Sequence, residues 1–311
     1  MKDNLERNYW QDILQINKGI HPIELLGRIF PQLTLEVMLN GSSDETYLNI
    51  VRRGSIPKIT KPRNFHYALG DKLWLQKTYV GEVLVLYLEQ RDDFERFLQI
   101  ISYRTEPQAI PPSMGASLIR GIINWRKIEK YKEAYIKKGH VDWAEEFKRF
   151  TCQKSNYQDK LIVLSKGAYS GVKYHQTPYD EKTWLDISFK IRLYHECTHL
   201  IFFELSKEKN ALWEELLADC MGMIYAIQKY DAHLAAVFLG VEDVAYRKGG
   251  RLENYLHQEK QDIVDMKGVK NSIDLLDHTC NQMLEQGLLP EAILLSLIKQ
   301  GSGSYLNDKA L

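Results

Sequence analysis

The sequence has no apolar run approaching the ~20 residues that a membrane-crossing helix needs. The apolar stretch beside its most informative motif is only Leu200-Ile201-Phe202-Phe203. Its first residues, Met1-Lys2-Asp3-Asn4-Leu5-Glu6-Arg7, are polar and mixed in charge, so neither a signal peptide nor a membrane partner is expected. Cysteine is scarce. Cys152, Cys197, Cys220 and Cys280 are scattered and form no Cys-x-x-Cys pair. That argues against a thiolate metal site and a disulfide frame, and points to reduced thiols in a cytoplasmic protein. Net charge is also lacking, with 41 Lys and Arg against 41 Asp and Glu. A balance of this kind favours no nucleic-acid partner. The basic stretch from Arg126 to Lys138 is interleaved with Glu129 and Glu133 and reads as a solvated helix face. Repeats and low-complexity linkers are missing too. What is present is a 44% hydrophobic composition over 311 residues, enough to bury a substantial core in one large domain or two moderate ones.

Residues 82–88, Glu-Val-Leu-Val-Leu-Tyr-Leu, form a β-rich run suited to a buried strand. Asp92 to Tyr103 has helical spacing, with Phe94, Phe97, Leu98 and Ile101 on one side. Residues 110–115, Ile-Pro-Pro-Ser-Met-Gly, make a rigid turn followed by a flexible one and mark a soft boundary. A long helical region is expected from about Leu118 to Phe150, and a short strand at Leu161 to Ser165. Thr183-Trp184-Leu185-Asp186 fits a helix-starting capping box. Beyond it Ile187, Ile191, Tyr194, Thr198, Ile201 and Leu205 recur on one helix face.

His195-Glu196-Cys197-Thr198-His199 therefore sits well inside a helix. Two histidines four apart lie one above the other and can grip one zinc ion. The Glu between them projects toward that ion and can take a proton from the attacking water. Catalytic zinc usually takes a third protein ligand. The polar turn Ser206 to Asn210 is short enough to make the next helical stretch, from about Ala211 to Tyr230, an antiparallel neighbour. At a rise of ~1.5 Å per residue, His199 lies roughly 9 Å and Glu215 roughly 6 Å from the turn. His195 and Asp219 match similarly, at roughly 15 and 12 Å. Glu215 can complete the shell, and Asp219 can accept the free N–H of a ligand histidine, most simply His195. Glu214 is the competitor. Glu215 is preferred because Ala211, Ala218, Gly222 and Ala226 share its stripe and let the helices approach, which leaves Glu214 as an exposed partner.

HECTH followed by Glu215-Leu216-Leu217-Ala218-Asp219 resembles the gluzincin metallopeptidase signature, HExxH with a later ExxxD. The Ala-Asp ending is similar to that of integral-membrane CAAX-prenyl proteases and of soluble anti-repressor peptidases of mobile elements. The resemblance implies zinc bound by His195, His199 and Glu215, Glu196 as the base, and Asp219 behind a ligand. It is confined to the helical hairpin. Donors for a developing oxyanion could come from Tyr169, Tyr174, His175 or Tyr179, or from Tyr225, His233, Tyr246, Arg247 or His257. Cys197 reads as a packing residue.

The expected fold is α+β. It comprises a helix-rich zincin-like core over 111–235, an N-terminal α/β lobe over 1–110 and a C-terminal helical region over 236–311. Leu161 to Ser165 could serve as a sheet edge for an extended peptide. The expected function is zinc-dependent hydrolysis of peptide bonds in a peptide or protein substrate. The contrasting expectation is a silent zinc-binding regulatory or interaction module, against which the intact Glu196 argues.

Overall fold

The computed structural model describes residues 3–59, 61–243, 246–248, 250–256 and 266–306. The chain divides into two compact units. The first takes most of the sequence up to Ser165, and the second takes Thr78–Val80, Pro112–Ala116 and everything from Lys166. Near-continuous apolar runs build the two central strands of the first unit's sheet, since a strand covered on both faces needs no polar alternation. Its elements are α1 (Asp3–Ile16), α2 (Pro22–Ile29), α3 (Glu45–Arg53), β1 (Lys72–Thr78), β2 (Gly81–Leu88), α4 (Arg91–Ile101), β3 (Ala116–Ile123), α5 (Trp125–Lys137), α6 (Trp143–Thr151) and β4 (Gln158–Ser165). The strands form one sheet in the order β1-β2-β4-β3. β2 and β4 run parallel, with Leu84 opposite Leu161 and Leu88 opposite Ser165, and their apolar residues are buried.

The structure departs from the sequence expectations at several points. Leu161 to Ser165 is not a sheet edge, because β4 is flanked by β2 and β3 and both of its backbone edges are occupied. The chain leaves the first unit after Pro111 for the short segment Pro112–Ala116, returns at Ser117, and its pairing of β4 with β2 keeps it there as far as Ser165. The first part of the expected helix over 118–150 is the strand β3, where Ile119, Ile122 and Ile123 favour extended backbone, and helix resumes only after Asn124 caps α5. The basic stretch is not uniformly solvated either. Lys127 is buried and donates to Asp159 at 2.5 Å, beside Trp10 Nε1 at 3.0 Å and Asn124 Nδ2 at 2.6 Å. Three donors on one buried carboxylate supply what its burial demands.

The second unit is helical: α7 (Glu181–Leu205), α8 (Ala211–Ile227), α9 (Ala232–Leu239), α10 (Glu253–Leu256), α11 (Met266–Glu285) and α12 (Pro290–Gln300). Trp184, Trp213, Tyr230 and Phe238 are among its largest fully buried side chains. α7 begins two residues before the expected capping box. Asp180 is the cap and accepts from the Thr183 backbone N–H at 2.9 Å and from its hydroxyl at 2.7 Å. Ile187, Ile191, Thr198 and Ile201 are buried as their spacing implies, whereas Leu205, on the last turn, is exposed. Asn210 caps α8 through the Trp213 N–H at 3.0 Å.

The small residues of α8 have a visible use. A Cβ on Gly222 would lie 2.9 Å from both Cγ2 and the carbonyl oxygen of Ile191, so α7 and α8 touch there. Gly222→Val should destabilise the fold by about 1–3 kcal/mol, because the backbone on the far side cannot retreat as a flexible side chain would. Chemical unfolding of the two proteins checks this. Among the described residues, no helix is long and apolar enough to cross a membrane.

Candidate metal centre

The α7–α8 hairpin fixes the depth at which side chains from the two helices meet. His195 and His199 project from α7 one turn apart, and Glu215 reaches them from the first turns of α8. Nε2 of His195 and Nε2 of His199 are 3.0 Å apart. Glu215 places one carboxylate oxygen 3.2 Å from His199 Nε2 and the other 3.6 Å from His195 Nε2. Among the described residues these three form the single group of His, Cys, Asp and Glu side chains able to hold a metal ion. The centre is largely but not wholly enclosed, with side-chain exposures of 7% for His195, 17% for His199 and 16% for Glu215.

The outer nitrogen of each ring has its own carboxylate. His195 Nδ1 lies 3.0 Å from Asp219 Oδ1, and His199 Nδ1 lies 2.7 Å from Glu214 Oε1. Ionised carboxylates only accept, so each Nδ1 carries the proton and donates it. Both Nε2 atoms then turn lone pairs toward each other and toward the Glu215 carboxylate. Lone pairs at this spacing repel, and a positive charge between them, proton or metal ion, converts the repulsion into attraction. The titration of the site carries the same signature. Burial opposes charge on His199, but the Glu215 carboxylate and the hydrogen bonds to Glu214 and Glu215 outweigh it and hold that ring well above its usual pKa. Burial likewise opposes ionisation of Glu215, yet the two histidines and Arg251 hold it well below the carboxylate range.

Glu196 is buried on the same turn of α7 as His195. Cys197 is buried too, and desolvation pushes its thiol up to about 12, which leaves it an apolar packing group. The geometry corrects the reading of Glu214. It is not merely an exposed partner, since it hydrogen-bonds His199 from a side chain 31% exposed. One residue's rotation around α8 aims it at the outer edge of the ring, while Glu215 faces the inner edge.

Of the loop tyrosines, only Tyr169 joins the centre. Its hydroxyl lies 2.8 Å from His195 Nδ1 and donates to Asp219 Oδ1 at 2.6 Å. That position is behind His195, on the side away from Nε2, so Tyr169 is not placed to stabilise an oxyanion at the ion. Tyr174, His175 and His233 are exposed, and Tyr179 stacks on Trp184. Tyr225 donates to Glu291, Tyr246 to the Gly250 carbonyl and Arg247 to the Val237 carbonyl. His257 lies outside the described residues.

Arg251 was not anticipated. It donates to the Tyr169 hydroxyl at 2.7 Å and to Asp219 Oδ2, and its Nη2 is 3.7 Å from Glu215 Oε2. It comes 32 residues after Asp219, beyond α9 and an irregular segment, so no spacing rule links it to either motif. Tyr255, also unanticipated, has a phenol pushed well above its usual pKa by burial and by the charge and hydrogen bond of Glu215.

No curated protein and no solved structure matches the chain. Residues 1–286 match the model of a family described as a family of unknown function, DUF7005. The match includes the first unit's sheet, the second unit's α7–α8 hairpin, the three convergent donors and Arg251, and so the chain belongs to DUF7005.

Proposed function

We propose that the protein is a zinc-dependent hydrolase, a gluzincin-like metallopeptidase, that cleaves peptide bonds in a peptide or protein substrate. The observation that carries this reading is the convergence of His195 Nε2, His199 Nε2 and Glu215 at 3.0–3.6 Å, with Glu196 on the ligand-bearing helix. Tetrahedral zinc with bonds of about 2.0–2.1 Å spaces its donors roughly 3.3 Å apart, so the donor set fits that ion. Two imidazole nitrogens and one carboxylate oxygen are a donor set that catalytic zinc accepts. Three protein donors leave a tetrahedral position open, as a catalytic site requires and a four-ligand structural site does not.

When bound, the ion supplies Lewis acidity that polarises a carbonyl and makes water acidic enough to attack it. The chain's own residues do the rest. Glu196 accepts the proton of the attacking water and passes it to the departing amine. His195 and His199 hold their Nδ1 protons on Asp219 and Glu214, which orients each ring and raises its basicity. The four free cysteines fit a reducing, cytoplasmic location.

The test is a mixed peptide library incubated with the purified full chain and read by mass spectrometry. Cleavage is expected with zinc, absent after chelation, and restored when zinc is returned. A protein carrying one zinc per chain that cleaves no peptide would replace the enzyme with a zinc-holding interaction module.

A further inference from the structure

The Nδ1 edge of His195 is backed by two residues outside both motifs, Tyr169 and Arg251, and Arg251 also lies 3.7 Å from Glu215 Oε2. Their proton count is complete and allows one arrangement. The single hydroxyl proton of Tyr169 goes to Asp219 Oδ1. Its oxygen then only accepts, from Arg251 Nη1 and from His195 Nδ1. Arginine cannot give up its charge, and Asp219 receives from Tyr169 and Arg251, with its Oδ1 3.0 Å from His195 Nδ1. Every neighbour of His195 Nδ1 is therefore an acceptor, and the ring must carry its proton there.

We infer that Tyr169 and Arg251 are positioning residues of the metal centre: through Asp219 they keep the His195 proton on Nδ1 and the ring in the orientation that presents Nε2 to the ion. The inference rests on the metal-site reading above. The two residues are themselves held firmly. The loop bearing Tyr169 is strapped to α7 by Arg192, which donates to the carbonyls of Gly167 and Ala168 at 2.6 and 2.7 Å. The Tyr169 N–H reaches Ser188 Oγ at 2.9 Å, and Ser170 Oγ reaches the Phe238 carbonyl at 3.0 Å. Gly115 has no room for a Cβ, which would overlap the Arg192 guanidinium.

Packing does not account for the polar groups. The Tyr169 ring meets Phe238 edge-on at 4.8 Å, a contact a phenylalanine would make equally well. The hydroxyl serves only the His195–Asp219–Arg251 set. Arg251 spans Tyr169 and Asp219 with its two Nη atoms, Nη1 on the hydroxyl and Nη2 on the carboxylate, in a planar fork that the single ammonium of a lysine does not reproduce. Its Nε is buried and has no hydrogen-bond partner among the described residues.

The test is a zinc titration of the full chain against a competing chelator, for wild type, Tyr169→Phe, Arg251→Lys, the double variant and Tyr225→Phe. Tyr169→Phe and Arg251→Lys should each weaken zinc binding by roughly 10–100-fold. The double variant should lose less than the product of the two, because Tyr169 and Arg251 bond each other and share Asp219. Tyr225→Phe removes a buried-side hydroxyl bonded to Glu291 and should leave the affinity unchanged. Proton NMR of the zinc-loaded wild type should show a slowly exchanging His195 Nδ1–H that is lost in Tyr169→Phe. If wild type binds zinc and Tyr169→Phe keeps both the affinity and that resonance, the positioning role is overturned, even should Arg251→Lys fail to fold. If wild type takes up no zinc, the metal-site reading itself has failed and this inference goes with it.

Discussion

Glu196→Gln should retain zinc and lose turnover by roughly two to four orders of magnitude, the range a general base contributes. Glutamine matches the shape of glutamate, so the buried position on α7 stays filled and the flanking ligands His195 and His199 keep their places. What changes is proton affinity. A neutral amide cannot accept the proton that the attacking water must lose, nor return it to the departing amine. A fall in kcat with zinc content and KM little changed would locate the defect in the chemical step. Metal analysis and peptide cleavage on the same preparation check both halves. Wild-type turnover in Glu196→Gln would remove the hydrolytic mechanism, and loss of zinc would mean that Glu196 is itself a ligand.

The residues of this centre that lie within one helical hairpin were legible because helix geometry is regular. A spacing of four put His195 and His199 on one face, and equal rise on both arms brought Glu215 level with them and Asp219 level with His195. The distances of 3.2 and 3.6 Å from Glu215 to the two rings follow from that register. Glu214 was misjudged because a periodicity argument sorts residues into inward and outward, whereas His199 presents two nitrogens on opposite edges and both edges find a carboxylate. Tyr169 and Arg251 were not predictable in their roles, since each arrives from irregular chain where no period applies. In the first unit the same limit appears as sheet order. The apolar runs at 83–86 and 161–164 announce buried strands, but only long-range pairing decides that β4 lies inside the sheet and β3 beside it. Ile119, Ile122 and Ile123 fit a strand by shape, yet a run bounded by helix-forming residues does not show which period governs it.

Replacing Glu215 and Glu214 separately should distinguish a ligand from a residue behind one. Glu215→Ala removes the only anionic donor among the three convergent groups and leaves two neutral imidazoles, so purified protein should no longer hold stoichiometric zinc. His199→Ala should do the same, since it removes an Nε2 placed 3.0 Å from that of His195. Glu214→Ala acts differently. It frees the Nδ1 proton of His199, which Glu214 accepts at 2.7 Å, but leaves all three inner donors in place. Zinc should remain bound, with affinity lowered by about 10–100-fold, the range for partners of ligating histidines. The lower end is expected because Glu214 is partly open to solvent and water can take over its bond to Nδ1. Zinc content of dialysed protein and chelator competition measure the two effects side by side. The opposite ranking, with zinc lost in Glu214→Ala and retained in Glu215→Ala, would transfer the ligand role to Glu214 and reverse which edge of His199 faces the ion.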